Sequence, residues 1–219
     1  IRVELLDAMG NRLQDATTAV DGTYRFDVPV GQMSRVRAYA AIQRDVAPRW
    51  DFRVTDNTNN DQRYAMEGAL LAASMENTER NLHAASGWGG ASYTQPRAAA
   101  PFAIIDSVYE SVLRVADALE QSAYVGNLPP LELRWSPSNK PVEGIYELGE
   151  IGTSSYTGEA IYLLGSEDND TDEYDRHVIF HEFVHYIEHT LGRLDNIGGE
   201  HWLNESLDFR LAYSEGLAN

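Results

Sequence analysis

The stretch DEYDRHVIFHEFVHYIEHTLG, residues 172–192, decides the fold of the second half of this chain, because its pattern predicts one long helix. Acidic residues crowd its beginning, where they suit the positive end of a helix dipole. We expect Asp170 or Thr171 as the N-cap and Gly192 as the stop signal. The predicted helix therefore covers roughly 20 residues and carries the pentapeptide HEFVH in its interior.

The pentapeptide places His181 and His185 four residues apart, on one face of the predicted helix. Two imidazoles at that spacing suit one tetrahedral Zn²⁺, and Glu182 then lies beside the open coordination position as a base for water. Shuffling the same residues produces this pattern in only about 1% of chains. The alternative is a polar helix face, to which His177 and His189 also belong and which nearby acids satisfy. We expect His177 and His189 to be structural, because the motif already has its pair.

Residues 1–55 predict a series of short strands without a helix. Apolar side chains alternate with polar ones there, as they do in half-buried strands: Val3, Leu5, Tyr24, Phe26 and Val28. The segment YAMEGALLAAS (64–74) then predicts a returning last strand. An antiparallel β-sandwich is the natural fold for such a series, so we predict a small sandwich over residues 1–74.

The pattern changes from about residue 75 onward. PFAIIDSVYESVLRVADALEQ (101–121) has apolar residues at helix spacing, with Pro101 where a first-turn proline belongs. LELRW (131–135) and EAIYLLG (159–165) read as strands. Strands around one helix, followed by the helix that carries HEFVH, predict an α+β domain over residues 75–219.

The composition excludes several classes of partner and site. A net charge of −17, from 34 acidic and 17 basic residues, repels phosphate backbones and anionic lipid, so we expect no nucleic-acid partner. No apolar run reaches the roughly 18 residues needed to cross a bilayer, so we expect no transmembrane segment. Cysteine is absent, which leaves His, Asp and Glu as the side chains that can hold a transition metal.

The H-E-x-x-H pattern on a long helix resembles that of the zincin metallopeptidases. This resemblance implies a third zinc ligand downstream, and a glutamate in that role implies the gluzincin type. Two glutamates compete: Glu205, at the spacing of thermolysin-like enzymes, and Glu215, in a context that resembles the E-G-x-A helix of other gluzincins. Physical reasoning favours Glu215, because Gly216 weakens a helix and indicates that this helix must approach another backbone closely. Glu205 stays open as the alternative.

A wider set of motifs is similar to a group of bacterial secreted or lipoprotein zinc peptidases. The motifs are DTDEYDRHVIFHEFVHY (170–186), DNIGGEH (195–201) and LDFRLAYSEG (207–216). The resemblance implies a zincin-like α+β catalytic domain with bound Zn²⁺, a peptide or protein substrate, and Glu215 as the third ligand. It also implies an extracellular or periplasmic location, or an outer-membrane lipoprotein with a lipid anchor upstream.

The segment DATTAVDGTYRFDVPVG (15–31) resembles carboxypeptidase-regulatory-like, transthyretin-like β-sandwiches, which often precede bacterial extracellular enzymes. The chain opens on IRVELLD, which reads as the middle of a strand, and stops at YSEGLAN, which reads as the middle of a helix. We therefore expect a part of a longer protein, with an incomplete catalytic domain.

Further candidates surround the expected metal site. His201, after two glycines, is a candidate catalytic donor to the oxyanion of a tetrahedral intermediate, with a solvated loop histidine as the alternative. Asp195 and Asp208 are candidates to orient a ligand imidazole, with surface acids as the alternative. The segment GTSSYTGEAIYLLG (152–165) is a candidate edge strand for an extended substrate.

Two functions other than a peptidase stay open. One is an extracellular binding module whose zinc site is structural or degenerate, which a fourth protein ligand such as His177 or His201 would distinguish. The other is a metal-dependent hydrolase of a non-peptide substrate, since a fold does not fix its substrate.

Overall fold

The computed structural model of this protein describes residues 1–121, 126–192, 197 and 205–219. Within these ranges the chain forms two sheets and three α-helices, an α+β architecture. The strands are β1 (Arg2–Leu6), β2 (Arg12–Thr17), β3 (Met33–Tyr39), β4 (Ala41–Arg44), β5 (Trp50–Asp56), β6 (Gln62–Arg63), β7 (Ala65–Glu67), β8 (Leu71–Ala72), β9 (Leu131–Trp135), β10 (Ser155–Tyr156) and β11 (Ala160–Leu163). The helices are α1 (Ala100–Gln121), α2 (Arg176–Leu191) and α3 (Phe209–Ala218), with a 3₁₀ turn at Tyr146–Leu148.

The first sheet is antiparallel and has the order β2-β1-β3-β7, with β8 also paired to β3. Val3 and Leu5 of β1 are buried on one face, as their alternation predicts. The segment 64–74 returns to this sheet as β7 and β8, which was also expected.

The predicted strand through Tyr24, Phe26 and Val28 is absent from the described structure, since this segment has no regular strand pairing. The three side chains nevertheless pack against the core of the first sheet. Their alternation therefore reports which side chains face the core, and it does not require a hydrogen-bonded ladder.

The second sheet has the order β10-β11-β9-β5-β4, with β6 paired to β5. β5, β9 and β11 are parallel, and β4 and β10 are antiparallel to their neighbours. β4 and β5 were expected inside the sandwich of residues 1–74. They join the second sheet because Phe52 and Val54, both 0% exposed, find their apolar cover there. Strands from both sides of the boundary predicted at residue 74 thus form one sheet.

α1 covers this sheet with apolar side chains at helix spacing. Ile105, Val108 and Val112 are fully buried, and Pro101 lies in the first turn, as the sequence predicts. None of the helices in the described residues is long and apolar enough to span a bilayer.

α2 packs beside α1 and against the same sheet. The rings of Phe183 and Tyr186 lie on Phe52 of β5, with centroids 5.8 and 5.7 Å away. Because these two residues point into the core, the opposite side of α2 is left to carry His181 and His185 toward α3.

Candidate metal centre

α2 begins at a different residue from the one predicted. Its N-cap is Asp175, whose carboxylate accepts hydrogen bonds from the backbone N–H groups of His177 and Val178 at 2.9 and 3.3 Å. The prediction of Asp170 or Thr171 was wrong, and the helix has 16 residues. The stop at Gly192 is confirmed: its φ of −103° is open to any residue, but a Cβ at this position would lie only 2.8 Å from the backbone oxygen of Glu188.

Two acidic residues directly before the helix, Asp172 and Glu173, are engaged by other parts of the fold and do not cap it. Asp172 accepts a hydrogen bond from the Ser154 hydroxyl at 2.5 Å. Glu173 forms an ion pair with Arg97, and both side chains are buried. The start of α2 is therefore fixed between the second sheet and the loop before α1.

Two histidines of α2 and one glutamate of α3 form a compact cluster. The Nε2 atoms of His181 and His185 lie 3.1 Å apart. Glu215 places one carboxylate oxygen 3.2 Å from Nε2 of His181 and the other 3.6 Å from Nε2 of His185. Among the described residues, these three form the group of His, Asp and Glu side chains whose ligand atoms all lie within 4.8 Å of one another.

These separations fit a tetrahedral zinc ion. With Zn–N and Zn–O distances of about 2.0–2.1 Å, tetrahedral ligand atoms lie about 3.4 Å apart. The separations in the cluster, 3.1 Å between the two nitrogens and 3.2 and 3.6 Å from each nitrogen to a different oxygen of Glu215, lie around that value. Two imidazole nitrogens and one carboxylate oxygen also leave the fourth position of such an ion for water or substrate. The same separations allow hydrogen bonds within the metal-free cluster.

The environment of His181 favours the neutral imidazole that binds a metal. Burial lowers the pKa of His181 below its ordinary value, and the charge of His185 lowers it further, whereas Glu215 raises it. The net direction is downward. His181 is therefore expected to be neutral at neutral pH, with a free ring lone pair.

Glu182 is a buried carboxyl group beside the cluster. One of its oxygens lies 4.0 Å from Nε2 of His181, and the other accepts a hydrogen bond from the backbone N–H of Tyr156 at 2.7 Å. Burial raises the pKa of Glu182 to about 8; the Tyr156 N–H acts in the opposite direction, and the charges of Glu215 and Asp172 add to the rise. Because Tyr156 belongs to β10, the carboxyl is held between α2 and the last strand of the sheet order.

Two residues that the sequence reasoning missed lie behind the ring of His185. The Ser214 hydroxyl is 3.3 Å from Nδ1 of His185 and donates a hydrogen bond to Glu188 at 2.6 Å. Nδ1 of His185 lies 3.8 Å from the same carboxylate oxygen of Glu188. The spacing of Glu188, three residues after His185 on one helix, is the signal that could have found it.

In the described part of the structure, Glu215 lies beside the two histidines and Glu205 does not. Glu205 is an exposed residue before α3. The reason that favoured Glu215 was nevertheless wrong. Gly216 is exposed, and a side-chain Cβ built on it meets no described atom within 4 Å. No close approach of another backbone is seen there, so this glycine gives no argument for a ligand.

The remaining candidates have other positions. Asp208 is the N-cap of α3, and its carboxylate accepts hydrogen bonds from Arg210. His189 makes a 2.8 Å hydrogen bond with the hydroxyl of Tyr156. His201 and Asp195 lie outside the described residues.

Comparison with known proteins adds no relative. No protein-family model matches the chain, and no curated protein or solved structure is significantly similar to it. The side chains of the cluster and their surroundings are therefore the basis for a function.

Proposed function

We propose that this chain is a zinc-dependent peptidase of gluzincin type. His181, His185 and Glu215 hold the metal, and Glu182 is the catalytic base. One observation carries the proposal: side chains from two helices bring two imidazole nitrogens and a carboxylate oxygen within 4.8 Å of one another, with a buried carboxyl group beside them. A histidine face satisfied by scattered acids does not require this convergence.

Zn²⁺ bound at this site would polarise a substrate carbonyl and lower the pKa of a coordinated water. Glu182 accepts the proton of the attacking water and passes it to the leaving amine. Proton transfer is most efficient when the pKa of the group lies near the working pH. Burial raises the pKa of Glu182 to about 8 in the metal-free protein, and a divalent cation at this site would lower it, which would make the carboxylate form available at neutral pH.

The position of β10 supports a peptide as the substrate. β10 ends the order of the second sheet in the described residues, and the backbone of its Tyr156 holds the catalytic carboxyl. An extended peptide that pairs with the outer side of β10 would therefore pass beside Glu182. The resemblance of the motifs to secreted peptidases points to the same substrate class and to an extracellular or periplasmic location.

Zinc content and proteolysis of three variants test the proposal. We expect stoichiometric zinc in the wild type after purification without chelators, and hydrolysis of fluorescently labelled casein. Glu182→Gln should keep the zinc and lose activity by roughly 10²–10⁴-fold. Glu215→Gln should lose the zinc, whereas Glu205→Gln, the matched control, should keep both zinc and activity. A metal-free wild type, or zinc loss in Glu205→Gln alone, would overturn this assignment.

A further inference from the structure

Two buried polar side chains lie behind His185, on the side of the ring away from the ligand cluster. Glu188 is 8% exposed and Ser214 is 0% exposed. Buried polar groups in proteins nearly always have hydrogen-bond partners, and these two have each other and the ring nitrogen Nδ1. The three groups therefore form one series of hydrogen bonds that crosses from α2 to α3.

The number of protons that each group can donate gives this series of hydrogen bonds a direction. A serine hydroxyl has a single proton to donate, and that of Ser214 goes to the Glu188 carboxylate at 2.6 Å, a length typical of a charge-assisted hydrogen bond. The Ser214 oxygen can then only accept from His185, so the ring proton lies on Nδ1. Nε2, which faces His181 and Glu215, keeps its lone pair for a metal.

The same contact also holds the helix that supplies the third ligand. Ser214 directly precedes Glu215 on α3. Only Leu211, Ser214 and Ala218 of this helix are buried, while Phe209 and Tyr213 are 79% and 66% exposed. Few apolar side chains of α3 are buried, and the hydrogen bond between Ser214 and Glu188 contributes to the position of Glu215.

We infer that Glu188 and Ser214 are positioning residues of the proposed metal centre: they hold His185 as the Nδ1–H tautomer and fix Glu215 within reach of the metal. This inference rests on the proposed zinc site but names two residues that the H-E-x-x-H pattern does not contain. Partners of this kind, which orient a ligand from behind, typically change metal affinity by about 10–100-fold when removed.

The test compares Ser214→Ala and Glu188→Gln with the wild type and with Ser111→Ala. Ser111 is the matched control, because it is also a buried helical serine, but its hydroxyl bonds to a backbone carbonyl within α1. The dissociation constant for Zn²⁺ is measured by competition with a chelator, and the melting temperature on the metal-free proteins. The tautomer of His185 is read from the ¹⁵N shifts of its ring in the wild type, a readout that needs no variant to fold.

We expect the Nδ1–H tautomer at His185, and zinc binding weakened about tenfold or more in both Ser214→Ala and Glu188→Gln but within about threefold of wild type in Ser111→Ala. The double variant should bind zinc no more weakly than whichever single variant binds it less tightly, since the two residues act through one series of hydrogen bonds.

The possible results separate the failure of this inference from that of the proposed function. If the wild type binds zinc and both variants bind it equally well, or if His185 carries its proton on Nε2, the positioning role is wrong and the zinc site stands. A melting temperature that falls in Ser214→Ala with unchanged zinc affinity likewise leaves only a structural role. If the wild type binds no zinc, both proposals fail.

Discussion

The carboxyl of Glu182 lies where ionisation is unfavourable in the metal-free protein. Burial raises its pKa from the ordinary value of 4.5 to about 8. The folded state therefore binds this proton more tightly than the unfolded state does. The resulting contribution to stability is complete below pH 4.5 and is lost as the pH rises through about 8.

We predict that Glu182→Gln removes this pH dependence. Urea unfolding with a chelator present, at about pH 5 and about pH 9, should show the wild type losing several kcal/mol relative to the variant, since one pKa unit corresponds to about 1.4 kcal/mol. The free energy of unfolding of the variant is the internal reference. If the two proteins keep the same stability difference at both pH values, Glu182 is not the buried acid described here.

The residues of the cluster differ in how far the sequence could predict them. His181, Glu182 and His185 follow from one local pattern, because helix geometry alone brings the two rings to one face. Glu215 was named by a resemblance and by an argument from Gly216 that the described surroundings of this glycine do not support. Glu188 was missed although its spacing from His185 was a usable signal, whereas Ser214 depends on how α3 lies against α2, which no local spacing encodes.

At the scale of the element, several acidic residues lie near the start of α2, so that residue type alone does not identify its N-cap. Asp170, Asp172 and Asp175 all suit an N-cap by residue type. Ser154, 18 positions before Asp172, engages that residue, and Asp175 bonds the first turn. The helix itself was predictable, and its first residue was not.

We predict that Asp175→Ala lowers the free energy of unfolding by about 1 kcal/mol, because two backbone N–H groups lose their acceptor. Asp170→Ala is the matched control: this residue is exposed, so its substitution should change stability by no more than about 0.5 kcal/mol. Thermal melts of both variants provide the measurement. A larger effect at Asp170 than at Asp175 would contradict the observed helix start.

At the scale of the whole molecule, the second sheet joins distant parts of the chain. β5 and β9 pair in parallel, and Arg53 bonds to Glu132, 79 positions further on. The series of strands predicted over residues 1–55 includes β4 and β5, but the local pattern could not say which sheet they enter. Their buried side chains share one core with α1 and β9, which follow later in the sequence.

We predict that residues 75–219 alone do not fold, because this fragment lacks β4, β5 and β6 and exposes the β5 side of β9. A fragment of residues 40–219 keeps every strand of the second sheet and should melt cooperatively and bind zinc. Calorimetry and zinc titration of the two fragments are the measurements. Cooperative melting and stoichiometric zinc binding by residues 75–219 would instead support a domain boundary at residue 74.

The division of the ligands between α2 and α3 has a consequence for how the protein is made. A growing chain that has released α2 from the ribosome offers two imidazoles but not yet the carboxylate of Glu215, which follows 30 positions after His185. Both sheets and the first two helices are encoded before that point. At the proposed site the third ligand thus reaches the two histidines only after both sheets and α2 have been synthesised.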